Sequence, residues 1–302
     1  MSILEKKVIN IKEGTKIREY LKTEIGLSTR LIKSASLNKK VFVNDEVVKM
    51  NIILSDGDII KIDLEKAESQ DIAPEKMDIG IIYEDEDILV VNKKPFMVVH
   101  PTKGYQSGTL ANGVINYFIE SNQNCIVRLV SRLDMNTSGL IIIAKNQFSH
   151  GMLSKEMSGN NIEKKYLAIV HGNLEKDNGT IDLPIYKPEG IENGIRRIVD
   201  ERGKKSITHY KVIERFKHSS LVECKLETGR THQIRVHLSS IGHPIYGDTL
   251  YGYGEDEEDL INRQALHAYA LDFKSPRTQE MLSLKSELPE DMMKLLEKIE
   301  NS

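Results

Sequence analysis

Residues 131–146 read SRLDMNTSGLIIIAKN. The stretch predicts a strand ending in Arg132-Leu133-Asp134, a polar turn, and an apolar β run opened by Gly139. Working outward, further β runs appear in IGIIYEDEDILVVNKKPFMVV (79–99), KKYLAIVHG (164–172), ITHYKVI (207–213) and LVECKLET (221–228). Helical patterns interrupt them at GTLANGVINYFIES (108–121), NQFSHGMLSKEM (146–157), RTHQIRVHLSSIG (230–242) and PEDMMKLLEKIEN (289–301). Short strands interleaved irregularly with helices argue an α+β fold over a βαβ repeat.

Composition narrows the function classes. The 302 residues carry 42 Lys+Arg against 45 Asp+Glu, two Cys and no Trp, which suits a soluble chain of about two domains. The longest purely apolar stretch is Leu140 to Ala144, far short of the roughly 18 residues of a membrane span. The N-terminus MSILEKKVIN is charged early and lacks the apolar core of a secretory signal, so a cytoplasmic location is expected. Cys125 and Cys224 stand far apart, without a Cys-x-x-Cys, so neither a disulfide framework nor a zinc ribbon is expected. Residues 1–66 carry 13 Lys+Arg and 10 Asp+Glu, whereas the remainder carries 29 and 35. A small basic module ahead of a mildly acidic body suits an anionic polymer, although the imbalance is small enough to arise by chance.

Within that module, KIREYLKTEIG (16–26) repeats apolar residues at Ile17, Leu21 and Ile25 and stops at Gly26. Ser28-Thr29 can cap a second helix, STRLIKSASLN, with Leu31, Ile32 and Ala35 facing inward. A hairpin follows around Asn44-Asp45, and Asp56-Gly57 turns into a closing strand. Residues 65–77, EKAESQDIAPEKM, are polar, broken by Pro74, and read as a linker. The acidic run Glu255-Asp256-Glu257-Glu258-Asp259 reads as an exposed loop.

Cofactor signatures are missing: there is no GxGxxG after a strand, no Walker loop, no HExxH and no GxSxG. No metal and no cofactor are therefore expected, and any catalysis runs on side chains alone. Asp134 is one candidate, because an aspartate at a strand-to-turn junction is rigid yet exposed, as a nucleophile or base must be. Judged alone, it more readily bonds backbone amides in an Asx turn. Tyr166 could stack on a base or simply fill the core. Arg235 could pair with a carboxylate and favour its ionised form, or lie on a solvated helix face.

Taken together, RLDMNTSG (132–139), KKYLAIVHG and TGRTHQIRVHL (228–238), in this order, resemble the signature blocks of the RluA/RluD-type pseudouridine synthases. VNKKPFMVVHP (91–101) and RQALHAYALDFKSP (263–276) resemble two further blocks of that family. The pattern αα then ββ of residues 1–66 is similar to the S-four-type RNA-binding domain, a frequent N-terminal companion there. The resemblance implies a mixed, mainly antiparallel catalytic sheet over 79–302, a linker over 67–78, and an S-four-like domain over 1–66. It puts the family's nucleophilic aspartate on Asp134, its active-site tyrosine on Tyr166 and the arginine paired with the aspartate on Arg235. Arg132 is similar to the arginine that takes the place of a flipped nucleotide, and Leu266 to an apolar residue packing against the target base. Arg30, Lys33, Lys39 and Lys40 fall on the RNA-binding helix and loop of the S-four type. Ser131, Asn136 and Phe96 depart from the residues usual in the family, His, Asp and Gly respectively. The implied activity is isomerisation of specific uridines in structured RNA, ribosomal (large-subunit) before tRNA, by a cytoplasmic monomer. A non-catalytic RNA-binding protein is one alternative. A glycoside hydrolase is another, although its usual second carboxylate is replaced here by a tyrosine and an arginine.

Overall fold

The structure is a computed structural model that describes residues 3–64, 70–189 and 195–301. The first segment comprises β1 (Ile3–Lys7), α1 (Ile17–Thr23), α2 (Thr29–Leu37), β2 (Val41–Val43), β3 (Glu46–Val47) and β4 (Ile59–Asp63). Local chemistry sets most of these boundaries. Ser28 Oγ accepts the Leu31 N–H at the start of α2, and Gly26 adopts φ +79° to end the first helical segment. Asn44 and Asp45 both take positive φ, the twist a two-residue hairpin needs. The sheet order is β1-β4-β2-β3. β1 is a correction to the αα-then-ββ reading: only Leu4 of this charged strand is buried, so its alternation is too thin to see before β4 supplies a partner. The segment has its own core around Ile17, Leu21, Ile32, Ile60 and Ile62, into which Phe148 of the main body also packs.

The main body comprises β5 (Ile81–Glu84), β6 (Ile88–Lys93), α3 (Leu110–Glu120), β7 (Arg128–Leu129), β8 (Ser138–Ala144), α4 (Gln147–Ser158), β9 (Glu163–His171) and β10 (Asn178–Asp182). It continues with β11 (Ile185–Tyr186), β12 (Ile198–Val199), β13 (Ile207–Arg215), β14 (Ser219–Leu226), α5 (Gln233–Ser240), β15 (Leu266–Lys274), β16 (Met281–Lys285) and α6 (Glu290–Glu300). The large sheet runs β10-β13-β14-β9-β15-β8-β6-β5, with β16 on β15 and β7 on β8. All its described pairings are antiparallel except β15 with β8, so the fold is α+β with a mixed, mainly antiparallel sheet. The two-residue period of a strand divides its side chains between two cores. Leu89, Val91, Ile141 and Ile143 pack with Val114 and Phe118 of α3. Ile88, Val90, Leu140 and Ile142 pack with Leu153 of α4 and Phe273 of β15.

Three sequence expectations change here. The strand before Asp134 ends at Leu129, and Arg132–Asp134 lie in a loop, because β7 matches β8 over only two residues. Residues 65–69 of the linker lie outside the described residues, but 70–78 are laid against the body. Gln70 exchanges hydrogen bonds with the backbone of Val127, Glu75 accepts the Gly108 N–H, and Ile72 is buried. In the acidic run, Glu257 turns inward: it accepts the Gly247 N–H at 2.7 Å and lies 2.6 Å from His171 Nε2.

Gly139 decides how the middle of the sheet closes. Across three strands Tyr166, Ala268 and Gly139 lie in one register row. Gly139 has φ +117°, and a Cβ there would sit 2.3 Å from the Ala268 carbonyl oxygen. Gly139→Ala is therefore expected to lower the unfolding free energy by about 3 kcal/mol or more, read from denaturant midpoints at unchanged slope.

Candidate active site

Asp134 begins the turn that leads into β8, closed by the Thr137 N–H donating to the Asp134 carbonyl at 3.1 Å. Two fully buried cations hold this turn. Lys93 Nζ donates to the carbonyls of Met135 (2.8 Å), Lys94 (2.9 Å) and Met97 (3.0 Å), which uses all three ammonium N–H groups. Arg263 donates to the Asn136 carbonyl at 3.1 Å and is itself neutralised by Asp291, at 2.6 and 2.9 Å. Burial pushes the Lys93 ammonium down to about 7, with Arg263 acting in the same direction and Asp134 opposing. Gln264 Nε2 adds a bond to Thr137 Oγ1 at 3.1 Å. The backbone of the turn is thus tied on every side, while the Asp134 side chain keeps 27 % of its surface exposed. Among the described residues its carboxylate accepts no backbone amide, so the Asx-turn alternative does not describe it.

Arg235 comes from α5, whose start is pinned by Gln233. That side chain donates to the Ile207 carbonyl (2.9 Å) and accepts from Thr228 Oγ1 (2.8 Å) and the Arg230 N–H (3.0 Å). Ile234 and Leu238 bury the helix against the sheet, which leaves Arg235 directed at Asp134. Arg235 Nη1 lies 3.2 Å from Asp134 Oδ2. On its other edge, Nε and Nη2 grip Asp248 bidentately at 2.7 and 2.8 Å. Asp248 is fully buried and also accepts the N–H groups of Leu250 and Tyr251 at 3.0 Å. Burial works against the Arg235 charge, but hydrogen bonds and charge from Asp248 and Asp134 outweigh it, and its pKa is raised. The ring of Tyr251 lies 5.1 Å from the guanidinium carbon.

Sequence reasoning named Arg235 but missed its anchor Asp248, and it missed His232, Tyr251 and Lys93 as neighbours of Asp134. The Pro-Ile-Tyr-Gly-Asp turn at 244–248 was the available signal, yet a turn aspartate reads as a surface residue until its partner is known. His232 sits in the left-handed region (φ +59°) at the N-cap of α5, with Nε2 3.9 Å from Asp134 Oδ2. Tyr251 hydroxyl accepts the Arg197 N–H at 2.8 Å and lies 2.9 Å from His232 Nδ1. Burial lowers the His232 pKa, against the pull of Asp134, which favours the neutral ring.

Tyr166 lies in β9 with 8 % of its surface exposed. Burial first, and the nearby Asp134 charge second, push its phenol well above the usual tyrosine range. The group therefore holds its proton at neutral pH and serves better as a stacking face or donor than as a base. Leu266 opens β15, 4 % exposed, in the same core cluster as Tyr166, with Leu133 packed against it. Arg132 is exposed and makes no hydrogen bond or ion pair among the described residues. The structure thus brings Asp134, Arg235 and Tyr166 together, with Leu266 in the wall and Arg132 at the rim. Arg30, Lys33 and Lys39 are exposed on the N-terminal segment, whereas Lys40 is paired with Asp63 at 2.8 Å. No group of three His, Cys, Asp or Glu able to hold a metal, and no helix long and apolar enough to cross a membrane, occurs among the described residues.

The family model described as RNA pseudouridylate synthase matches residues 87–240. The uncharacterized RNA pseudouridine synthase YlyB of Bacillus subtilis is 40% identical over 292 residues, 95% of each chain. The ribosomal large subunit pseudouridine synthase D of Nitrosomonas europaea is 40% identical over 233 residues, 75% of this chain and 67% of that one. Among solved structures, human RNA pseudouridylate synthase domain containing 1 superposes with a TM-score of 0.59 at 29% identity, covering 70% of this chain and 83% of that one.

The clamp on Arg235 has a stability consequence. Asp248→Asn leaves a buried guanidinium with half its neutralising charge, and is expected to cost about 3 kcal/mol or more in urea unfolding. Asp134→Asn, at the more exposed end of the same guanidinium, is expected to cost less than about 1 kcal/mol.

Proposed function

The chain belongs to the RNA pseudouridine synthase family and is an isomerase acting on RNA, and from that premise we propose that it modifies specific uridines of large-subunit ribosomal RNA with Asp134 as the reacting carboxylate. The observation that carries the assignment is the 3.2 Å contact between Arg235 Nη1 and Asp134 Oδ2, made by a guanidinium already fixed by Asp248. The ribosomal target is supported by relatives named ribosomal large subunit pseudouridine synthase D.

The reaction breaks the N1–C1′ bond of uridine, turns the uracil, and joins C5 to C1′. One proton leaves C5 and one is gained at N1, so nothing is oxidised, reduced or hydrolysed. A uridine in a stack must first be extruded, at a cost of a few kcal/mol. Arg132, exposed beside Asp134, is suited to fill the vacated space and meet phosphate. With Oδ2 held by Arg235 and faced by His232, Oδ1 of Asp134 is the oxygen free to meet the ribose. It either attacks C1′ or takes a proton from C2′. Tyr166, protonated, would stack on the detached base and hydrogen-bond its carbonyl edge. Residues 1–66 would act as an S-four-like RNA-binding module, with Arg30, Lys33 and Lys39 as its free cations.

Asp134→Asn should reduce pseudouridine formation in an unmodified large-subunit ribosomal RNA transcript by about 10³-fold or more, with RNA affinity unchanged. Near wild-type turnover would remove Asp134 from the chemistry. Because Phe148 packs into the N-terminal core, deletion of that segment would uncover the body, and a surface variant is the cleaner probe. Arg30→Gln with Lys33→Gln should flatten the slope of log affinity against log salt by roughly 1–2. An unchanged slope would show that these side chains do not meet phosphate.

A further inference from the structure

The turn at Phe96 follows β6 and is hydrogen-bonded to the Asp134 loop, yet no step above uses it. Phe96 has φ +59° and leaves 51 % of its surface in water. The left-handed region is unfavourable for a bulky L-residue, and a half-exposed ring recovers little from burial. Neither local backbone preference nor core packing therefore accounts for a phenylalanine here. The turn is held by Lys93, which donates to the carbonyls on both sides of it, Lys94 and Met97. The Met97 N–H then donates to the Met135 carbonyl at 3.2 Å. Summing standard backbone spacings along that bond puts the Phe96 Cα within about 12 Å of the Asp134 Cα. That separation spans only a few nucleotides of a bound strand, at about 3.4 Å per stacked base.

We propose that Phe96 is a stacking platform for a base of the bound RNA next to the uridine being isomerised, a residue of substrate binding and site choice and not of chemistry. The proposal rests on the reading of Asp134 as the reacting centre. Aromatic faces beside exposed cations are how unpaired nucleotides are held, and Arg132 supplies such a cation two residues before Asp134. The clamped backbone adds to the case: a ring carried on a turn tied by Lys93 and Met97 loses little freedom when a base settles on it.

The test compares Phe96→Asn and Phe96→Trp with wild type, full length, on an unmodified large-subunit ribosomal RNA transcript. Asparagine tolerates the left-handed region, so Phe96→Asn should melt at or above the wild-type temperature, and weaker binding cannot then be ascribed to misfolding. Its KM and dissociation constant are expected to rise roughly 5- to 100-fold, with kcat at saturating RNA nearly unchanged. Phe96→Trp should retain wild-type affinity. Unchanged KM in Phe96→Asn, or a loss confined to kcat, would overturn the proposal while an active wild type left the enzyme assignment standing. A wild type that binds this transcript and forms no pseudouridine would overturn the substrate reading beneath it.

Discussion

A guanidinium can leave water only if its charge is matched, and Arg235, 7 % exposed, is matched from two sides by Asp248 and Asp134. Asp248 takes the stronger share, two short bonds reinforced by two backbone N–H groups, and is wholly buried. Asp134 takes one N–H of Nη1 and stays partly open. This asymmetry separates a structural carboxylate from one available for chemistry. It also makes the helix, the 244–251 turn and the loop before β8 into a single unit, since moving any of them strands a buried charge.

The rest of the sheet serves the same end. The parallel contact of β8 with β15 needs the close approach that Gly139 permits, and the same row carries Tyr166 on β9. The turn bearing Asp134 is therefore aimed by packing of the sheet and locked by Lys93, Arg263 and Gln264. Such over-determination suits a side chain that must be presented in one fixed orientation.

The exposed cations have their own geography. Free cations sit on α2 and at the rim beside Asp134, separated from the buried cations that hold the site. The exposed ones can meet phosphate without disturbing the fold, whereas the buried ones cannot be spent on RNA. Lys40, bound to Asp63, belongs with the structural group.

What could be read from the sequence alone was whatever local backbone chemistry and periodicity dictate. Ser28 caps a helix, Gly26 ends one, Asn44-Asp45 turns a hairpin, and the apolar run after Gly139 is a buried strand, because each depends on φ, ψ and neighbours a few residues away. The ordered motifs around Asp134, Tyr166 and Arg235 were legible only through their resemblance to a known family, since the chemistry of each residue alone left its alternatives open. Only the tertiary structure decided which charges meet. Asp248 finds Arg235, Lys93 reaches the carbonyl of Met135, Glu257 turns inward to His171, and charged β1 becomes a strand only beside β4. None of these has a local signature, since a buried ion pair is chosen by which groups lose water together, and that is a property of the assembled core.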